Sequence, residues 1–164
     1  MFRKAAFGAA LTTALVFGGL AHAGYDEGNA LYAEGKYSEA LQEFVDAGGA
    51  GNVDAVYRAA LMFEAGEGTA KKDDQAMEKA AAWFQTAARA GHTGAMKKLA
   101  KMFADGRGKP QDPVQAWAIL QIAADRGDKE AAAQRDALAE TMRPGQREAG
   151  KRRLEKITDL YQGS

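Results

Sequence analysis

Apolar residues recur along this chain at helical spacing, and the same stripe returns more than once. Ala55, Ala59, Ala60 and Phe63 fall at i, i+4, i+5 and i+8, which places them on one face of a helix. Gly66 and Gly68 follow, and one of them supplies the left-handed residue that stops the helix. Forty residues later Ala95, Leu99, Phe103, Gly106 and Gly108 repeat the arrangement. A second helix carries Ala116, Leu120, Ala123 and Ala124 on one face. It opens at Asp112-Pro113, an acceptor for the cap followed by the ring that suits a first helical turn. Past Arg143-Pro144 a terminal helix is expected, with Leu154, Ile157 and Tyr161 facing inward.

The junctions between these helices are also periodic. Ala47–Ala55, Ala87–Ala95 and Ala123–Ala131 each read A-x-x-x-G-x-x-x-A, with Gly51 and Gly91 40 residues apart and Gly91 and Gly127 36 apart. Upstream, Ala40/Phe44, Ala80/Phe84 and Ala116/Leu120 hold equivalent places. A period of this length built from helix-forming residues predicts stacked helical hairpins. The paired glycines are helix stops and not a phosphate cradle, since neither G-x-G-x-x-G nor G-x-x-x-x-G-K-[ST] is present.

Gly108–Asp112 and Ala80–Gly91, the latter with Trp83-Phe84 and Ala87-Ala88, resemble the Sel-one-like repeat family, a branch of the tetratricopeptide (TPR) superfamily. Gly28, Leu31, Gly35, Tyr37, Ala40, Phe44 and Ala47 are similar to an ordinary TPR hairpin. The chain departs from the family pattern at Thr69 and Lys109, at Ala60 and Ala100, and at Trp117, whose usual place is held by Ile119. The resemblance implies an all-α fold, a right-handed α/α superhelical solenoid of helix-turn-helix repeats. It divides the chain into a TPR-like hairpin at 24–51, Sel-like repeats at 52–91 and 92–127, and a closing half-repeat with a capping helix at 128–164. The loop Thr69–Glu78 is longer than its counterpart and is expected to carry the charged segment "AKKDDQ" into solvent.

Arg3 and Lys4, the apolar run Ala5–Ala21 and Ala21-His22-Ala23 form a charged region, a short apolar region and an A-x-A site. Residues 1–23 therefore read as a signal peptide cut after Ala23, and the mature chain is expected to be exported, most simply to a bacterial periplasm. With 22 basic and 22 acidic residues in the chain, losing Arg3 and Lys4 leaves 20 against 22. Bulk charge gives no reason to expect nucleic-acid binding, and no span is expected in the mature part. Without cysteine there is no disulfide or thiolate site.

Candidate chemistry is sparse. His92 stands in an inter-unit turn where the other copies have Asn52 and Asp128, and reads as a turn or cap residue. Ser38 and Ser164 are the serines beyond Ala23. No catalytic residue, metal site or cofactor is therefore expected.

Binding to a protein or peptide is the class the repeats imply, on the concave face lined by the first helix of each unit. The expected partner-binding residues are Tyr25, Asn29, Tyr32, Tyr57, Leu61, Lys97 and Lys101. Tyr57 beside Lys97 and Lys101 suits an extended peptide bearing a carboxylate. The rival readings are an envelope enzyme or accessory acting on cell-wall fragments, and a module that self-associates through its ends. A basic cluster at Arg143, Arg147, Lys151, Arg152 and Arg153 reads mainly as a solubilising end cap.

Overall fold

The computed structural model describes residues 10–69 and 74–161, with side chains from residue 22 onward. Eight α-helices follow one another among the described residues: α1 (Ala10–Ala33), α2 (Tyr37–Gly49), α3 (Val53–Ala65), α4 (Asp74–Arg89), α5 (Thr93–Asp105), α6 (Pro113–Asp125), α7 (Lys129–Thr141) and α8 (Pro144–Ile157). A 3-10 turn at Thr158–Tyr161 follows α8. Each helix packs on its sequence neighbours through α7, and α8 then folds back on α6. The architecture is an all-α helical-repeat solenoid. Part of the "AKKDDQ" segment, residues 70–73, lies outside the described residues. Helix α4 already begins at Asp74, earlier than the loop expected to reach Glu78, because Asp74 suits a helix N-terminus and Ala76 is buried. Helix α1 runs unbroken through Ala23 and Gly24.

The helix boundaries follow from local chemistry. The side chains of Asn52, His92 and Asp128 each accept the backbone N–H of the residue three positions on, namely Ala55, Ala95 and Ala131. One junction position thus supplies the N-cap of α3, α5 and α7. At the other end Gly66 and Gly106, at φ 78° and 70°, are the residues that stop α3 and α5. Gly68 and Gly108 do something different. Their bare Cα atoms lie against the carbonyls of Tyr37 and Met77, where a Cβ would collide. Each repeated glycine pair therefore ends one helix and then docks the following loop on the start of a helix in the hairpin before it.

The core is built of small residues. Alanines at positions 40, 55, 59, 60, 80, 81, 87, 88, 95, 100, 116, 118, 123 and 131 are fully buried or nearly so, around Phe44, Phe84, Met96, Leu99 and Ile119. Close helix approach replaces side-chain bulk, so each unit depends on its neighbours for burial. One cluster spans α3 to Tyr161 and another joins α1, α2 and α3. Phe63 and Trp83, with ring centroids 5.9 Å apart, pack against both. Trp117 lies across Gly150 of α8, where a Cβ would come within 2.8 Å of the ring. The tryptophan that departs from the repeat pattern is the one that seats the terminal helix. Ile157 and Tyr161 are buried as expected, and Leu154 packs beside them.

Candidate interaction face

Two depressions lie side by side along the first helices of successive units. The first, of about 450 Å³, is lined by Tyr32 of α1, Arg58, Leu61, Met62 and Glu64 of α3, Lys98 of α5, and the turn residues Glu67 and Arg107. The second, of about 280 Å³, is lined by Tyr57 of α3, Gly94, Lys97, Lys98 and Lys101 of α5, and Glu130 and Gln134 of α7. Lys98 borders both, so the two form one continuous face.

Five of the seven sequence-predicted residues border these depressions: Tyr32 and Leu61 the first, and Tyr57, Lys97 and Lys101 the second. Tyr25 and Asn29 border neither. Tyr25 sits against Phe44 at 5.9 Å between ring centroids, held by the α1–α2 core. The Asn29 amide donates to the Tyr25 carbonyl of its own helix at 2.9 Å.

In the first depression the Tyr32 hydroxyl donates to Glu67 Oε2 at 2.9 Å. That bond, reinforced by desolvation, raises the Tyr32 phenol above its ordinary pKa. Arg58 places its guanidinium 5.0 Å from the Tyr32 ring centroid and 5.5 Å from that of Phe44. Lys98 Nζ meets Glu64 Oε2 at 2.7 Å.

The second depression is more fully neutralised. Lys97 Nζ lies 2.5 Å from Glu130 Oε2 and 3.1 Å from Asp128 Oδ2, and these partners, Glu130 foremost, raise its pKa. Asp128 is held below the usual carboxylate range, first by the Ala131 N–H that it caps and also by Lys97. Lys101 pairs with Asp105 one turn along its own helix, at 2.9 Å.

Tyr57 is half-buried, although the apolar stripe alone turns it away from the core. Its ring stacks on His92 at 4.2 Å between centroids and packs beside Phe84 at 5.8 Å. Gly94 leaves room for that stack, since a Cβ there would approach the imidazole to 2.9 Å. His92 Nδ1 accepts the Ala95 N–H at 3.0 Å and Nε2 faces Asp54 at 3.6 Å. Burial lowers its pKa, against the opposing pull of Asp54. His92 is a helix cap stacked on the Tyr57 ring.

Arg58, Lys98, Glu67 and Arg107 escaped the sequence reading. Arg58 and Lys98 stand one 40-residue period apart, as Tyr57 and Lys97 do, so the repeat itself carried that signal. Among the described residues, no group of three or more His, Asp or Glu side chains is arranged to hold a metal ion.

This order of helices and caps defines a helical-repeat protein with a shared side-chain face. Residues 53–92 and 93–128, two segments in tandem, match the family model of the Sel1 repeat. A protective antigen of uropathogenic Escherichia coli strains, described as displaying an SLR fold, superposes with a TM-score of 0.77. It is 23% identical, over 86% of this chain and 30% of that one. A Sel1 repeat protein from Oxalobacter formigenes superposes with a TM-score of 0.63 at 29% identity, over 80% of this chain and 54% of that one. The chain thus spans well under two thirds of either relative. No curated protein matches it in sequence. Together the repeat matches and the shared fold support the Sel1-like repeat family.

Proposed function

We propose that this chain is a non-catalytic protein-interaction scaffold of the bacterial envelope. It receives a segment of a partner protein along the face shared by α1, α3, α5 and α7. The observation that carries this reading is the continuity of the two depressions through Lys98, at positions that recur with the repeat. Such a face suits an extended segment that spans several units, with a carboxylate as the natural complement to its cations. Export rests on the leader-like residues 1–23, and cleavage after Ala23 leaves Gly24–Ala33 as the first helix of the scaffold. No helix among the described residues is long and apolar enough to cross a membrane.

The test is crosslinking and capture from an envelope extract with the chain from Gly24 onward. A Leu61→Glu/Lys101→Glu variant, shown by circular dichroism to be folded, is run beside it. A discrete partner lost in the variant supports the reading. A partner captured equally by both places binding elsewhere on the molecule, and no partner at all removes the scaffold reading.

A further inference from the structure

Resting on the scaffold reading, the cations of the shared face separate into two kinds. Lys97 is held by Asp128 and Glu130, Lys98 by Glu64, and Lys101 by Asp105. No carboxylate among the described residues lies within ion-pair distance of Arg58 or Arg107. Arg58 rests over the Tyr32 and Phe44 rings, and Arg107 approaches Met77 Sδ at 3.9 Å. Both arginines line the first depression.

The acids beside them are occupied, Glu64 by Lys98 and Glu67 by the Tyr32 hydroxyl. Arg58, Lys98 and Arg107 against Glu64 and Glu67 leave the depression at +1, in a chain whose expected mature charge is 20 − 22 = −2. A guanidinium resting on aromatic rings is restrained, while its planar N–H fork stays available to a carboxylate. Between the charges lie Leu61, Met62 and Ala65, an apolar floor.

We propose that this depression is a carboxylate-binding site for an acidic peptide segment. An Asp or Glu side chain pairs with Arg58 and Arg107, and an adjacent apolar side chain rests on Leu61 and Met62. The anion therefore docks between α1, α3 and the turn after α5, and not at Lys97 and Lys101, whose charges the fold has already matched. A bidentate Arg–carboxylate pair gives direction as well as attraction, so binding is sensitive to loss of either arginine.

A random hexapeptide library, N-acetylated and C-amidated so that side chains alone supply carboxylates, is panned on the chain from Gly24 onward. The best binder is resynthesised with Asn and Gln in place of Asp and Glu. Enrichment of acidic residues is expected, with at least about tenfold weaker binding of the amide version. Arg58→Gln and Arg107→Gln should each weaken the acidic peptide about tenfold, and Lys79→Gln, at an exposed α4 position that borders neither depression, by less than about twofold. Arg107→Gln keeps the test valid if Arg58→Gln disturbs the ring stack. Peptides that bind without acidic residues, or regardless of both arginines, overturn this site and leave the scaffold standing. A library from which nothing binds overturns both.

Discussion

Gly108 presses its bare Cα against the backbone carbonyl of Met77, and no side chain fits between them. Met77 lies in the first turn of α4 in one unit and Gly108 in the loop that follows α5 in the next, so the contact fastens consecutive hairpins. Its backbone is left-handed as well, at φ 66°. Gly108→Ala is therefore expected to destabilise by about 2–4 kcal/mol, through strain and collision together. Gly49→Ala, with open space around its Cβ, should change stability little. Urea unfolding of both variants checks the contrast.

His92 caps α5 through an unprotonated Nδ1. Its folded pKa lies below the ordinary imidazole value because it is partly buried. On acidification the unfolded chain takes the proton first, so the stability tied to this group is full above about pH 6.5 and declines as pH falls below it. Asn caps the equivalent helix at position 52 without titrating. Between pH 7 and 5, His92→Asn should lose less stability than the wild type. Equal slopes in a pH series of denaturant melts would count against this role.

Trp117 covers Gly150, and Gly150→Ala places a methyl 2.8 Å from its ring. A cost of about 1–3 kcal/mol is expected, concentrated in α8. Hydrogen exchange should show α8 losing protection while α3 and α4 keep theirs. Uniform loss across the chain would mean that the end helix is no separate unit.

Asp128 combines a cap with an ion pair to Lys97. Asp128→Ala removes both and should cost about 1–2 kcal/mol, whereas Asp128→Asn keeps an acceptor for Ala131 and should cost less. Thermal melts of the two variants separate the contributions.

The helices, their order and their caps were legible because each rests on local chemistry. Asn52, His92 and Asp128 announce helix starts, and the recurrence of Ala-x-x-x-Gly announces the units. The expected face was legible in part. Leu61 and Lys101 follow from helical periodicity and the repeat, and Tyr32 from the family's concave-facing places, but neither revealed that Tyr25 packs on Phe44 or that Tyr57 stacks on His92. Those contacts join residues 19 and 35 positions apart, across different helices.

By itself the sequence determined an all-α repeat array, because periodic burial and turn chemistry are properties of short windows. Only the tertiary structure decided which cations keep their charge unmatched. Lys97 and Arg58 look alike along the chain. Packing of α5 against α7 brings Asp128 and Glu130 to Lys97, while packing of α1 and α2 against α3 brings aromatic rings to Arg58. Electrostatic pairing depends on distance in space, and that distance is set by how the hairpins stack.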